Sequence, residues 1–295
     1  MPTPSPDTGQ TQYVDASGAL AYKTFGHGID GSLLLDPFLA TGLQDYCPEQ
    51  KVIDLGCGAA KWAIHAVEIG ADRVDAIDNS PQMLSQAEAA LADQPESVRR
   101  RVGLQLASVL DVPRLNGSFD TALSINVGCA IEDLDTHFKE MARILKLGGV
   151  GIITAPVSLE VPFTTFGDEE RKIARFKAEL DGVTDEAEMK TIATAHTDIL
   201  RATIVPDGSG WYVPEEADNL ELGQAIYRKI PGVVVPNFYH TEAEYEAALQ
   251  EANLDLRQAN KERLSQADYN DKTGLGLEYL TKNAFAFYIA QKPAV

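Results

Sequence analysis

Basic residues are scarce in this chain. Its 295 residues carry 25 Lys and Arg against 44 Asp and Glu, a formal net charge of −19. A field of that sign repels phosphate backbones and anionic lipid surfaces, so nucleic-acid and membrane partners are not expected. The charge suits solubility, or attraction of a cationic substrate. Cysteine is sparse too. Cys47, Cys57 and Cys129 are odd in number and show neither a disulfide framework nor the spacing of metal ligands, so no metal centre is expected. No apolar run is long enough to span a bilayer. Met1 to Gln12, rich in Pro, Thr, Ser and Gln, lacks the basic-then-apolar pattern of a signal peptide. A reducing cytoplasm is the expected compartment. Nothing in the pattern speaks to oligomeric state.

What is present is a globular composition, 44% hydrophobic and 7% aromatic. After a tail, Leu33, Leu34, Leu35, Phe38, Leu39 and Leu43 suggest a packed helix. Val52 and Ile53 then read as the end of a buried strand closed by Asp54, with a Gly turn and a helix following from Ala60 to Gly70. Arg73 to Asp78 predicts a second strand, and Ser80-Pro81 opens the next helix as N-cap and first helical residue. Val102–Ala107 and Phe119–Ile125 predict two more strands. Leu134, Phe138, Met141 and Leu145 predict a helix reaching Gly148-Gly149, before a fifth strand at Val150–Thr154. This alternation predicts an α/β fold, a doubly wound Rossmann-like sheet.

The rhythm then breaks. Between Ala155 and Tyr239 no further strand is obvious, and periodic apolar residues predict helices instead. A segment that long between sheet elements reads as a lid. Thr241 and Glu244 form a capping box for a late helix, Asp255–Leu264 is a candidate strand, and Ala284–Ala290 is the last strand. The expected organisation is therefore a tail and active-site cap (1–45), a Rossmann-like core (46–155), a mainly helical substrate lid (156–239) and a return to the core sheet (240–295).

The chemistry concentrates in Asp54-Leu-Gly56-Cys-Gly58-Ala-Ala60. Its glycines permit a tight turn and close approach of a ligand to backbone. Their spacing is not that of G-x-G-x-x-G. Asp78 lies roughly twenty residues further on, at a strand end, where an acid accepts hydrogen bonds from ribose hydroxyls. Asp54, ahead of the turn, adds a carboxylate that a pyrophosphate does not require and that a ligand with an amino group or a sulfonium would use.

These motifs, in this order, resemble the class I S-adenosylmethionine-dependent methyltransferases. Val52–Gly58 resembles the family's first motif and Ala76–Leu84 its second. Ser118–Asn126 resembles the fourth-strand motif, and Ala142–Gly149 the passage into the fifth strand. His240–Asn253 and Phe285–Pro293 resemble the family's last helix and last strand, the latter antiparallel to the rest. The resemblance spans about 50–155 and 240–293 and leaves out the lid. It implies S-adenosylmethionine as cofactor, with Gly56 and Gly58 cradling its amino-acid part, Asp54 orienting that part and Asp78 taking the ribose hydroxyls. Asn79 and Met83 would flank the adenine, although Met83 equally suits core packing. Ser108 stands where members often carry an acid, beside Val109, and Ala60 replaces the third glycine. Asn126 ends a central strand, where ligands bind in such sheets.

Methyl transfer from a sulfonium chiefly requires alignment of an acceptor. An amine needs only to be deprotonated, whereas a hydroxyl or carbon acid needs a base. Among the histidines, His65 and His137 are expected on helix surfaces and His196 in a lid core. His27 and Tyr22, in a Gly-rich segment with Phe25, are the candidate catalytic residues. Trp211, Tyr212 and Tyr239, near several acids, are candidates for substrate contact, as is Phe25. The expectation is an enzyme that methylates a small molecule, with an amine or amino-acid nitrogen favoured over O, C or S acceptors. A protein that binds the same cofactor without turnover is the alternative.

Overall fold

The computed structural model describes residues 36–156, 210–212, 225–230, 233–238, 240–260 and 285–294. In chain order the main elements are α1 (Asp36–Tyr46), β1 (Lys51–Leu55), α2 (Lys61–Glu68), β2 (Arg73–Asp78), α3 (Pro81–Ala92), α4 (Glu96–Arg99), β3 (Val102–Leu106) and β4 (Phe119–Ile125). After a 3₁₀ turn at Gly128–Ala130 come α5 (Leu134–Ile144) and β5 (Leu145–Pro156). Then follow β6 (Gly210–Tyr212), β7 (Ala225–Ile230), β8 (Val233–Phe238), α6 (Glu242–Glu251), β9 (Asp255–Asn260) and β10 (Phe285–Gln291).

Seven strands form one sheet in the order β3-β2-β1-β4-β5-β10-β9. The first five are mutually parallel, and β10 runs antiparallel to both β5 and β9. The chain winds outward from β1 to β3, then crosses back to β4. The direction therefore reverses between β1 and β4, and at their carboxyl ends a crevice opens with no connection to fill it. β1 and β4 are buried along nearly their whole length because helices cover both faces. On one face Phe138, Met141 and Ile144 of α5 pack with Tyr245 and Leu249 of α6. On the other, Leu39 and Leu43 of α1 pack with Trp62, Ala63 and Val67 of α2. Each Leu, Ile, Val, Phe or Met side chain among these contributes about 1.5–3 kcal/mol when fully buried.

Two elements depart from the sequence reading. The helix expected to reach Gly148-Gly149 ends at Ile144, and Leu145 is already extended at ψ 140. The apolar spacing continues through Leu145 only because that residue is buried as the start of β5. Gly148, at φ +78, lies in the irregular pairing where β4 residues Phe119 and Thr121 face Leu145 and Val150. The second departure lies within 156–239, where no strand was expected. β6, β7 and β8 form a separate three-stranded antiparallel sheet. Val233-Val-Val is β-branched, and the turn dipeptide Pro231-Gly232 separates the paired Ile230 and Val233. β8 packs against the Gly128–Ala130 turn, so this sheet abuts the carboxyl end of β4. β9 begins at Asp255 as expected and is described as far as Asn260, and residues 261–264 of the expected strand lie outside the described residues.

Candidate functional site

The crevice is built from the carboxyl ends of β1, β2 and β4. After Leu55 the chain turns through Gly56, at φ 71, and the amides of Gly56 and Cys57 both donate to the Ile77 carbonyl at 2.9 Å. A Cβ on Gly56 would lie 2.8 Å from a methyl of Val127, so the loop after β4 closes directly onto this turn. Ala60 stands in place of the family's third glycine, a mild change only where the backbone is helical. It is instead left-handed, at φ 62, and serves as N-cap of α2 without a side chain to cap it.

The missing cap comes from β1. Asp54 is 2% exposed and its carboxylate accepts from the Ala63 amide in the first turn of α2. Its other oxygen, Oδ2, has no hydrogen-bond partner among the described residues. Burial raises its pKa to about 7, the nearby charge of Asp78 adds to the rise, and the Ala63 amide opposes it. An orphaned carboxylate oxygen in such a place is costly unless a ligand supplies its partner.

Asp78 closes β2. One carboxylate oxygen accepts from the Gly58 amide and the other from the Ser80 amide, both at 2.9 Å. Burial raises its pKa, and the amides of Ser80, Gly58 and Asn79 pull it back. Ser80 caps α3 by accepting from the Met83 amide at 3.2 Å. Met83 is 1% exposed, and its terminal methyl lies 3.1 Å from where a Cβ of Gly58 would be. It supports the Gly turn from below, while Asn79 remains partly exposed beside it.

After β3 the Ser108 hydroxyl accepts from the Leu110 amide at 2.9 Å, and Val109 turns into the core. His137 corrects the expectation of a surface histidine: it is fully buried, because α5 turns that face onto β4. Nδ1 lies 3.4 Å from the Val109 carbonyl and Nε2 lies 2.9 Å from the Ser124 hydroxyl. A carbonyl only accepts, so Nδ1 carries the proton and Nε2 accepts from Ser124. Burial lowers its pKa to about 4. The ring ties the loop after β3 to β4 and is not exposed to act as a base. His65 is half-exposed on α2. His240 is 4% exposed and donates from Nε2 to the Ile131 carbonyl at 2.8 Å.

Asn126 follows β4 with φ 57, a conformation asparagine tolerates. Its amide donates to the Thr154 hydroxyl at 3.1 Å, and that hydroxyl donates to Oδ1 of Asn126 at 3.2 Å. Gly128 is seated against the hydroxyl of Tyr245, which is buried and without a hydrogen-bond partner among the described residues. Among the described residues no group of three or more His, Cys, Asp or Glu is arranged to hold a metal, and no helix is long and apolar enough to cross a membrane.

Residues 52–149 match the family model described as "Methyltransferase domain". These residues belong to the class I S-adenosylmethionine-dependent methyltransferase superfamily. This methyltransferase core is 31% identical over 140 residues to a ribosomal protein L11 methyltransferase of Thermosipho africanus, covering 47% of this chain and 49% of that one. It is 27% identical over 135 residues to an ajmaline N-methyltransferase of Rauvolfia serpentina, covering 45% and 46%. The chain thus spans about half the length of these relatives. Among solved structures, the PH0226 protein of Pyrococcus horikoshii superposes with a TM-score of 0.55 at 15% identity, over 92% of this chain and 97% of that one. An S-adenosylmethionine-dependent methyltransferase of Mesorhizobium loti gives 0.53 at 19%, over 85% and 96%.

The methyltransferase core brings together Asp54, Gly56, Gly58, Asp78, Asn79 and Asn126 at one edge, with Met83 beneath and Ser108-Val109 beyond β2. Trp211 and Tyr212 lie on β6 of the small sheet. Tyr22, Phe25, His27, His196 and Tyr239 fall outside the described residues. Thr154, Ser124 and His137 escaped the sequence reading as parts of the site. Their signal was a hydroxyl residue near the carboxyl end of an otherwise apolar strand, in Ala-Leu-Ser124-Ile and in Ile-Ile-Thr154.

Proposed function

We propose that this chain is an S-adenosylmethionine-dependent methyltransferase acting on a small molecule, with an amine or amino-acid nitrogen as acceptor. The observation that carries the cofactor assignment is the pair Asp54 and Asp78. Two buried carboxylates on adjacent strands flank one Gly turn, and among the described residues one of them has an orphaned oxygen and neither has a basic side chain bonded to it. Such a site fits a ligand that brings positive charge and ribose hydroxyls, and disfavours a pyrophosphate.

When bound, S-adenosylmethionine supplies a methyl group on an activated sulfonium. In this reading Asp78 accepts from the ribose hydroxyls with the lone pairs not engaged by Gly58 and Ser80. Asp54 presents Oδ2 to the ammonium, directly or through water. Asn79, Met83, Ser108 and Val109 bound the adenine. The sheet β6–β8, set against the turn after β4, covers the acceptor side and offers Trp211 and Tyr212. The N-terminal segment with Tyr22, Phe25 and His27, together with Tyr239, completes the cover. Holding acceptor and methyl in line is the principal contribution of such a site.

The amine preference is supported by the acidic chain and by the histidines at hand. His137 is neutral and doubly engaged, and His240 is buried on a carbonyl, so neither serves an acceptor that needs a base. The ajmaline enzyme among the relatives is an N-methyltransferase, and a relative named O-methyltransferase resE also matches. The fold also carries a [4+2]-cyclase, so turnover must be measured beside binding. Calorimetry with S-adenosylhomocysteine and NAD, followed by transfer of labelled methyl to a panel of amines, phenols and thiols, tests the reading. Binding of NAD with none of S-adenosylhomocysteine overturns the cofactor, and labelling confined to oxygen or sulfur acceptors overturns the amine.

A further inference from the structure

Resting on that reading of the cofactor, we propose that the side-chain amide of Asn126 donates to the carboxylate of the methyl donor's amino-acid end. Thr154 is the positioning residue that fixes the amide's polarity.

An asparagine side chain can present either an acceptor or a donor to a ligand. Here the choice is made by Thr154, which is fully buried. Its hydroxyl receives a hydrogen bond from the Asn126 backbone amide at 3.1 Å. The hydroxyl proton is therefore directed to Oδ1 of Asn126, at 3.2 Å. With Oδ1 held, the NH₂ group is the end left to face outward. Among the described residues it has no acceptor, and Asn126 is partly exposed.

The backbone beneath it is fixed as well. Asn126 sits at φ 57, and its amide also bonds the Thr154 carbonyl at 3.0 Å. The next residue, Val127, fills the space beside Gly56, and the one after, Gly128, is seated on Tyr245. The NH₂ group is thus held on a clamped segment, which is what a selective donor requires.

Which part of the ligand it meets follows from strand order. Asp78 lies on the β2 side of the Gly turn and Asn126 on the β4 side, because β1 pairs with both. A ligand with its ribose at Asp78 extends across the turn and brings its amino-acid end to Asn126. That end carries an ammonium, for which Asp54 has a free carboxylate oxygen, and a carboxylate, which needs a donor. Among the described residues no basic side chain is bonded to Asp54 or Asp78, and the neutral Asn126 amide, held between the two acids' turn and β4, supplies the donor for that second charge.

The test uses the full chain and two probes, S-adenosylhomocysteine and 5′-deoxy-5′-methylthioadenosine, which lacks the amino-acid end. Asn126→Asp keeps the shape, the left-handed backbone and the acceptor for Thr154, and removes the donor. It is expected to weaken S-adenosylhomocysteine by about tenfold or more while leaving methylthioadenosine unchanged. Thr154→Val frees the amide to turn over and is expected to weaken the same ligand alone, by a smaller factor. Unchanged affinity of Asn126→Asp for S-adenosylhomocysteine overturns the proposal, and so does an equal loss for both probes. Wild type that binds neither probe overturns the cofactor reading itself, a result separable from any effect of the variants.

Discussion

The carboxylate of Asp78 and the backbone amide of Gly58 meet at 2.9 Å, joining the end of β2 to the turn after β1. The acid that is assigned to the ribose therefore also holds the turn in shape. Asp78→Ala should lose both roles. Isothermal titration with S-adenosylhomocysteine should show a loss of about a hundredfold, as expected for two hydrogen bonds to a charged group. Unaltered affinity would contradict the ribose assignment.

Gly56 and Gly58 should differ in their tolerance of alanine. At Gly56 the new Cβ meets a branched Val127 at 2.8 Å, whereas at Gly58 it meets the flexible end of Met83 at 3.1 Å. Both backbones are left-handed, at a cost of about 1–2 kcal/mol. Gly56→Ala should lower the melting temperature more than Gly58→Ala, and should displace Val127 and with it Asn126. Equal shifts would mean that the loop after β4 yields freely.

Asp54 and His137 predict opposite pH dependences of stability. The Asp54 carboxyl is raised from 3.8 to about 7, so its contribution is full below about pH 4 and is lost as pH rises towards 7. His137 is lowered from 6.5 to about 4, so its contribution is full above about pH 6.5 and is lost as pH falls towards 4. The groups facing Asp54 are Asp78 on β2, the thiols of Cys57 and Cys47, and the Ala63 amide. In urea denaturation, Asp54→Asn should show stability rising more steeply from pH 4 to 6.5 than wild type. A cationic ligand should also expel the Asp54 proton, seen near pH 6.5 as proton release in calorimetry across buffers of different ionisation enthalpy. Release equal in wild type and Asp54→Asn would remove Asp54 from that role.

The hydroxyl of Tyr245 and the backbone at Gly128 make a second contrast. A Cβ on Gly128 would fall 2.0 Å from the hydroxyl and 2.7 Å from the ring carbon bearing it. Gly128→Ala should destabilise by about 1–3 kcal/mol, the range of overpacking. Tyr245→Phe removes an orphaned polar atom, so chemical denaturation should find it equal to wild type or more stable. A clear loss of stability in Tyr245→Phe would show that the hydroxyl has a partner in solution.

The bond between Ser124 and His137 should be measurable by a double-mutant cycle. Ser124→Ala leaves Nε2 of a buried ring without its donor, at a cost of about 1–3 kcal/mol. His137→Phe alone should cost more, since Ser124 and the Val109 carbonyl both lose a partner. If the two losses simply add, the pair is not coupled.

Much of this site was legible because it is local. The Val-Ile-Asp-Leu-Gly-Cys-Gly turn, the acid ending β2 and the Ser80-Pro81 helix start each fit within one stretch of chain, where strand period, turn chemistry and capping act between near neighbours. The doubly wound character of the sheet was legible for the same reason, since alternating strands and helices imply parallel strands joined by crossovers, whereas the strand order came only from the tertiary structure. The end of α5 was not, because Leu145 is apolar for the strand it begins and matches the helical period by coincidence. The strands β6 to β8 were missed because the apolar residues around them gave no alternation strong enough to outweigh a helical reading.

By itself, then, the sequence determined the fold class, the crevice and the carboxylates that line it. Only the tertiary structure decided how those groups are charged and aimed. Asp54 becomes the cap of α2 because β1 ends beneath that helix, and its pKa rises because the same packing excludes water. His137 passes from an expected surface to the core because α5 turns it onto Ser124, thirteen residues back along the chain. Asn126 becomes a fixed donor because Thr154, on a neighbouring strand, holds its oxygen. Hydrogen bonds and burial across strands depend on which strands adjoin, and no periodicity in a single strand records its neighbour.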